Sequence, residues 1–268
     1  MSGAKYPTHP PLVGMLHLPA LPGAPGAPAS LAQIEETLLH EVGILVDAGF
    51  DACVLENFGD APFFGDTVPP ITIASMSRLA ASIRRQQPAL RLGINVLRND
   101  ARAALAIAVA CEASFIRVNV HVGVTATDQG ILEGRAAQTM RLRAELQSDV
   151  QVWADVHVKH GRSMTHERIE QEALDCVHRG GADVLIVSGS GTGEETSIED
   201  LQRLQALQLS VPIYVGSGVT RENVQRYLAI ADGVIVGTDL KEGGATRAPL
   251  SADRARQLMS RARSALKT

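Results

Sequence analysis

The sequence contains eight short runs rich in Val, Ile and Leu, and segments with helical periodicity separate them. The runs lie at residues 12–18, 51–57, 90–97, 115–122, 151–158, 183–189, 211–218 and 232–238. Alternating strands and helices favour a parallel sheet with crossover helices, and eight such strands can close into a barrel. The sequence therefore predicts one α/β domain, a single (β/α)8 TIM barrel over residues 1–268.

The segments around the strands carry helix and loop signals. The predicted helix N-caps are Ser30, Asp100, Thr165 and Thr220. Residues 1–11 are expected to form an N-terminal extension. The Pro/Gly-rich stretch 18–30 cannot form a helix or a central strand, so we expect an ordered loop after the first strand.

Composition and charge argue against several classes of protein. With 45% hydrophobic residues the chain can bury a core, and its net charge of -4 provides no positive field for nucleic acid. The sequence shows neither a signal peptide nor a membrane-spanning apolar stretch, so we expect a cytoplasmic protein whose membrane association, if any, is peripheral. The three cysteines, Cys53, Cys111 and Cys176, have no CxxC spacing and are predicted to be buried.

Polar side chains are predicted to line the interior near the carboxyl ends of the strands, where TIM barrels build their active sites. Because successive strand residues point to opposite faces, the inward sets can be read from the alternation. The candidate substrate-binding residues are His17, Asn57, Asn95, Arg117, Asn119 and His121. The candidate catalytic residues are Glu56, Asp155, His157 and Lys159. For the pair Glu56 and Asn57, the sequence leaves open which residue points inward.

The chemistry of these groups stays open at the sequence level. Lys159 is suited to act as a Schiff-base nucleophile, a proton donor or a phosphate clamp. Asp155 and His157 are suited either to an acid/base pair or, together with His17 or Glu56, to a divalent metal site.

Glycine-rich loops follow the last three predicted strands. The predicted phosphate-binding residues are Ser188, Gly189, Gly191, Gly216, Ser217, Gly218, Gly237 and Thr238. Glycine lets backbone amides approach an anion, and the loops after strands seven and eight are the usual phosphate site of such barrels. Because neither a Walker A sequence nor a Rossmann GxGxxG is present, we do not expect an ATPase or a protein that binds NAD or FAD.

Several long strings resemble the BtpA family, which includes the SgcQ-type bacterial proteins. The strings are VGMLHLPALPGAP, DACVLENFGDAPF, GINVLRND, FIRVNVHVG, TDQGILEG, VWADVHVKH, ADVLIVSGSGTG, VGSGVTREN and ADGVIVGT. The resemblance covers residues 12–245 and implies a TIM barrel of the ribulose-phosphate-binding class. Its namesake implies a role in photosystem I biogenesis at the thylakoid membrane.

Two functions follow as hypotheses. The first is an enzyme, an isomerase, lyase or hydrolase, for a small phosphorylated sugar-like or nucleotide-derived metabolite. The second, implied by the resemblance, is a non-enzymatic factor for the biogenesis or stabilisation of a membrane complex. In either case we expect a homo-oligomer, because barrels of this type often associate through their outer helices.

Overall fold

Eight parallel strands close into a barrel in the computed structural model, which describes residues 10–26, 30–189, 191 and 194–266. The barrel strands are β1 (Leu12–His17), β2 (Ala52–Glu56), β3 (Arg91–Asn95), β4 (Phe115–Val118), β7 (Gln151–Val156), β9 (Val184–Val187), β10 (Ile213–Val215) and β11 (Gly233–Val236). Their order around the barrel is β1-β11-β10-β9-β7-β4-β3-β2. The predicted TIM barrel is therefore confirmed, and all eight predicted runs supply its strands.

Helices connect the barrel strands along the described chain. They are α1 (Leu31–Ala48), α2 (Pro70–Gln86), α3 (Ala101–Ala110), α4 (Ala136–Glu145), α5 (Ile169–His178), α6 (Ile198–Ala206), α7 (Val224–Leu228) and α8 (Ala252–Leu266). Short 3-10 turns lie at Phe58–Asp60, Thr238–Leu240 and Glu242–Gly244. None of the helices in the described ranges is long and apolar enough to cross a membrane.

Two of the four predicted N-caps are confirmed. Ser30 and Asp100 accept hydrogen bonds from backbone amides in the first turns of α1 and α3. α7 begins at Val224, so Thr220 is not its N-cap residue, but Thr220 caps the turn that leads into α7: its Oγ1 accepts from the amide of Glu222 at 3.2 Å and its carbonyl accepts from Val224 at 2.9 Å. The prediction for Thr165 is wrong, because α5 begins at Ile169. Thr165 instead accepts a hydrogen bond of 2.8 Å from the amide of Val124. A small polar residue can therefore serve a loop contact as readily as a helix N-terminus.

A three-stranded antiparallel sheet, which the sequence analysis missed, is built from the loops after β4 and β7. It consists of β5 (Val124–Thr127), β6 (Gly130–Glu133) and β8 (Gly161–Ser163). Leu132 of this sheet packs against Val120 and Val158, which lie just beyond the ends of the barrel strands. The sheet therefore fixes the chain that leaves the barrel on this side.

Aromatic rings fill the interior of the barrel below the site. The rings of Phe115 and Trp153 are stacked with centroids 3.6 Å apart, and Tyr214 meets Trp153 edge-on at 5.1 Å. Gly93 leaves room for this stack, since a Cβ atom there would lie 2.1 Å from Phe115. The polar residues nearer the carboxyl ends thus stand on a closed apolar floor rather than over an open channel.

The Pro/Gly-rich loop folds against the turn after β2 in its described part; residues 27–29 of the loop and residues 1–9 of the predicted N-terminal extension lie outside the described residues. The amide of Leu21 donates to Asp60 Oδ1 at 2.8 Å, and the amide of Gly59 donates to the carbonyl of Leu18 at 2.9 Å. Both leucines are buried. These contacts place the loop beside the mouth of the barrel.

The three cysteines are buried and free of disulfide bonds. Burial raises the pKa of the Cys53 thiol to about 12. A thiol with so high a pKa carries almost no thiolate at neutral pH, so Cys53 is not an activated nucleophile.

Candidate functional site

A buried ion pair lies at the centre of the predicted polar face. Arg117 on β4 donates to both carboxylate oxygens of Asp155 on β7, at 3.1 and 2.9 Å. Asn119 donates to the same carboxylate at 2.6 Å, and Ser188 donates to it at 3.4 Å. Asp155 is 0% exposed. Its carboxylate is thus fully engaged by neighbours and does not project as a free base.

His17, Glu56 and Asn95 lie side by side on β1, β2 and β3, because His17 pairs with Glu56 and Glu56 pairs with Asn95 in the strand register. His17 Nε2 lies 3.7 Å from Glu56 Oε1, and its ring stacks on Phe58 with centroids 4.6 Å apart. Burial, together with the charges of Lys241 and Lys159, lowers the pKa of His17 to about 3. His17 is therefore neutral at physiological pH.

The open question at the end of β2 is answered by hydrogen bonds. Asn57 accepts from the amide of Leu97 at 2.7 Å and donates to Asp60 Oδ2 at 3.1 Å. Asn57 thus ties the loops after β2 and β3 together, whereas Glu56 faces the barrel mouth. The structure places Asn57 in a loop-bracing position rather than in the predicted substrate pocket.

Lys159, which follows β7, lines two neighbouring cavities. Among the described residues no carboxylate lies within ion-pairing distance of its ammonium group, and none accepts a hydrogen bond from it. Burial and, next, the charge of Arg117 lower the pKa of Lys159. A larger share of its amine is therefore neutral at a given pH than in a solvated lysine.

The first cavity, here called the glycine-loop cavity, has a volume of about 200 Å³ and lies at the ends of β1, β10 and β11. Five predicted phosphate-binding residues line it, namely Gly216, Ser217, Gly218, Gly237 and Thr238. The backbone amides of Ser217, Gly218 and Thr238 have no acceptor among the described residues. Such free amides in a concave loop are suited to bind an anion.

Two arginines add positive charge beside this cavity. Arg254, which lines it, donates to Asp239 Oδ1 at 2.6 Å, and Arg221 donates to Asp239 Oδ2 at 3.1 Å. One carboxylate therefore faces two guanidinium groups, which leaves one positive charge at the wall. Strand alternation gives no signal for Arg254, because it lies on the last helix and not on a strand.

Two histidines that the strand alternation predicts to face inward point elsewhere, so both predictions are wrong. His121 Nε2 lies 2.9 Å from the carbonyl of Gly180, which follows α5. Because β4 ends at Val118, the alternation of inward and outward side chains does not continue to His121. His157 Nε2 lies 3.5 Å from Glu172 on α5. The backbone of His157 has a φ of 49°, which turns its side chain out of the strand pattern.

Three predicted phosphate-binding residues do not line the glycine-loop cavity. Ser188 is at the floor beside Arg117 and Asp155. Gly189 packs so closely that a Cβ atom would lie 2.4 Å from the carbonyl oxygen of Glu194, and the carbonyl of Gly191 accepts from Ser217 Oγ at 3.2 Å. Gly189 and Gly191 therefore support the loop after β10 instead of facing the cavity.

The metal alternative finds no matching group of ligands in the described ranges. Within them no three His, Cys, Asp or Glu side chains gather in a way that could hold a metal ion. Asp155 and His157, the pair considered for this role, point to opposite sides of β7. The carboxylate of Asp155 is already occupied by Arg117 and Asn119.

Comparison with known families agrees with the family resemblance of the sequence strings in the strands and loops. The model of the BtpA family matches residues 8–264. The chain belongs to the BtpA family. It is 46% identical over 249 residues to an uncharacterized protein of Pyrococcus horikoshii, covering 92% of this chain and 94% of that one. It is 39% identical over 239 residues to the photosystem I biogenesis protein BtpA of Synechocystis, covering 89% of this chain and 83% of that one.

Solved structures share the barrel of this BtpA-family chain at low sequence identity. Thiamine phosphate pyrophosphorylase from Pyrococcus furiosus aligns with a TM-score of 0.61 and 12% identity, covering 95% of this chain and 96% of that one. The 3-keto-L-gulonate-6-phosphate decarboxylase of Vibrio cholerae aligns with a TM-score of 0.56 and 15% identity, covering 97% and 98%. At such identities the similarity shows the fold alone.

A second cavity of about 500 Å³ lies beside Glu56 and Lys159, and the sequence analysis did not anticipate it. Phe58, Leu97 and Arg98 contribute to its wall. Arg98 is only 5% exposed and donates to the carbonyl of Lys159 at 2.6 Å. We call this space the Arg98 cavity. Its signal in the sequence was the string GINVLRND, in which only Asn95 was selected because Arg98 lies beyond the strand.

Proposed function

We propose that this BtpA-family protein is an enzyme that acts on a small phosphorylated sugar-like or nucleotide-derived metabolite. The observation that carries the proposal is the presence, in one cavity, of free backbone amides and an amine of lowered pKa: Ser217, Gly218 and Thr238 face the same space as Lys159. An anion site next to a reactive side chain is what an enzyme for a phosphorylated substrate requires. A cytoplasmic location and a homo-oligomeric state belong to the proposal.

The phosphate group would be held by the loops after β10 and β11. Their amides are available to donate to the phosphate oxygens in place of water, because no acceptor among the described residues competes for them. The excess positive charge of Arg254 and Arg221 over Asp239 favours the same anion.

Lys159 and Glu56 would perform the chemistry. A neutral lysine amine can add to a substrate carbonyl, and a carboxylate beside it can accept a proton from the adjacent carbon. This pairing favours isomerisation or aldol-type cleavage over hydrolysis. His17, held neutral by burial, would donate or accept a hydrogen bond without adding charge. Asp155 would act as a positioning residue, because its carboxylate orients Arg117 and Asn119.

The test measures ligand binding with variants chosen from the geometry. Gly216 and Gly218 are unsuitable for substitution, since a Cβ atom at either would lie 2.3 Å from a neighbouring atom. At Gly237 the nearest contact would be 3.1 Å, to the His17 side chain, which must give by a few tenths of an ångström, and no backbone atom is among the three nearest, so Gly237→Val narrows the cavity. Lys159→Met removes the amine, and Arg256→Met, at an exposed cation on α8, is the matched control.

Native mass spectrometry of the freshly purified protein, compared with a denatured sample, first looks for a bound ligand. Calorimetry with inorganic phosphate and a panel of sugar phosphates and nucleotides follows. We expect binding by the wild type and Arg256→Met, and at least tenfold weaker binding by Gly237→Val. The proposal fails if the protein is empty and no phosphorylated compound binds or stabilises it. It also fails as a catalytic assignment if Lys159→Met leaves turnover unchanged once a substrate is found.

A second candidate function is a non-enzymatic factor for the biogenesis or stabilisation of a membrane complex. The observation that favours it is the 39% identity to the Synechocystis protein named for photosystem I biogenesis. Co-sedimentation with membranes and copurification with a membrane complex would support it. Turnover of a phosphorylated compound by protein that stays in the supernatant would favour the enzyme.

A further inference from the structure

Arg98 is a buried cation for which the described part of the chain provides no ion-pair partner. It is 5% exposed, and no carboxylate of the described residues lies within ion-pairing distance of its guanidinium. The one side-chain hydrogen bond that Arg98 makes within the described ranges goes to the carbonyl of Lys159, which uses one of the five N–H groups that a guanidinium carries. Burying a charge in this way is costly unless an anion compensates it.

The Arg98 cavity adjoins the glycine-loop cavity at Lys159, and Arg98 lies on the far side of the barrel mouth from Gly216 and Ser217. In the order of the strands, β3, which precedes Arg98, is four places from β10, which precedes Gly216 and Ser217, and four places is half of an eight-stranded ring. Lys159 belongs to the walls of both cavities. A ligand whose phosphate lies in the glycine-loop cavity would therefore pass Lys159 and end near Arg98.

The charges that line the Arg98 cavity indicate which group would lie at this end. Arg98, Lys159 and Arg247 contribute three positive charges, and Glu56 and Asp128 contribute two negative ones. With Lys159 protonated, the form that meets the ligand before the amine reacts, the balance is one positive charge, which a carboxylate would neutralise and a phosphate dianion would exceed. A planar carboxylate also matches the paired N–H groups of a guanidinium.

We propose that the Arg98 cavity binds a carboxylate at the end of the substrate opposite its phosphate. The substrate is then a phosphorylated sugar acid, or a related phosphorylated hydroxy or keto acid, and not a neutral sugar phosphate. This inference rests on the proposed function, because it takes the glycine-loop cavity as the phosphate site. Phe58 and Leu97 would cover the carbon chain beside the carboxylate.

The experiment compares pairs of open-chain ligands that differ only at the terminal carbon. The pairs are erythritol 4-phosphate with 4-phosphoerythronate, ribitol 5-phosphate with 5-phosphoribonate, and glucitol 6-phosphate with 6-phosphogluconate. Calorimetry should show that, for at least one chain length, the acid binds on the order of tenfold more tightly than the alcohol. Glucitol 1,6-bisphosphate should bind less tightly than the best acid.

Two variants test whether Arg98 is the cause. In Arg98→Met the ratio of the two dissociation constants should fall towards one, whereas Arg98→Lys should retain part of the preference. Asp128→Asn removes a negative charge from the same wall, so the preference for the acid over the alcohol should increase. This variant keeps the test valid if Arg98→Met does not fold. Because the ratio compares the alcohol and the acid on the same variant, a substitution that weakens the binding of both equally leaves it unchanged.

The outcomes separate this inference from the proposed function. If inorganic phosphate and the alcohol phosphates bind but no acid is preferred, the carboxylate site is refuted and the phosphate site stands. Tighter binding of the bisphosphate than of every acid would also refute it. If no phosphorylated compound binds at all, the proposed function fails and the inference fails with it.

Discussion

Arg117 donates two hydrogen bonds to Asp155 in the barrel interior, from Nε to Oδ2 and from Nη2 to Oδ1, with both side chains at most 2% exposed. The two groups are held by adjacent strands, β4 and β7. Because each charge is buried, each depends on the other for compensation. The pair therefore joins β4 and β7 directly below Lys159 and the two cavities.

The first prediction concerns this pair. Asp155→Asn leaves the Arg117 guanidinium without its countercharge, so the free energy of unfolding should fall by about 3–5 kcal/mol. Glu199→Gln is the control, because it breaks an exposed pair with Arg203 on α6 and should change stability by less than about 0.5 kcal/mol. Urea denaturation followed by circular dichroism measures both. Equal changes in the free energy of unfolding for the two substitutions would show that the buried pair does not stabilise the barrel.

The second prediction concerns pH and His17. Because burial lowers the pKa of His17 from 6.5 to about 3, the unfolded chain binds a proton in this interval that the folded chain does not. Stability should therefore fall as the pH decreases from 6.5 towards 3, with a contribution from His17 of about 1.4 kcal/mol per pH unit. In His17→Asn that part of the slope should disappear, whereas His40→Asn, at an exposed histidine on α1, should run parallel to the wild type. Parallel curves for all three proteins would contradict a neutral His17.

The eight barrel strands could be predicted because each is a compact apolar run that a parallel barrel buries on both faces. The small sheet could not, because β5, β6 and β8 are short, and their pairing depends on a contact between loops far apart in the chain. Its string TDQGILEG was noticed only as a family resemblance.

The candidate site could be predicted within the strands and in part beyond them, since Asn119 and Lys159 follow β4 and β7 and still face the site. Arg117 and Asp155 lie inside regular strands, so alternation places them correctly. His121 and His157 lie beyond the strand ends, where a change in backbone direction cancels the alternation. Arg98 and Arg254 lie in a loop and a helix, and only the closed fold brings them to the cavities. Periodicity is a local property, whereas a site assembled from loops is not.

The third prediction compares two glycines. A Cβ atom at Gly93 would lie 2.1 Å from the Phe115 ring, within the stack that includes Trp153. Gly93→Ala should therefore destabilise the protein by about 1–3 kcal/mol through overpacking. Gly43 lies in α1 with nothing within 4 Å of its Cβ position, so Gly43→Ala should stabilise the protein by about 0.5–1 kcal/mol. In thermal unfolding, the midpoint of Gly93→Ala should be lower than that of the wild type and the midpoint of Gly43→Ala should be higher. Shifts of the same sign would contradict the stacked interior.

The fourth prediction concerns the reactivity of Lys159. Burial and Arg117 lower its pKa, so the neutral amine should be present at a lower pH in the folded protein than in the denatured chain. Reductive methylation with formaldehyde, followed by peptide mass spectrometry, should show Lys159 half-labelled at a lower pH in native protein than in guanidinium-denatured protein. Lys241, which is 2% exposed and paired with Glu41 at 3.2 Å, is the internal control and should label slowly in the native state. If Lys159 labels at the same or a higher pH in native protein, its amine is not activated and the nucleophile must be sought elsewhere in the two cavities.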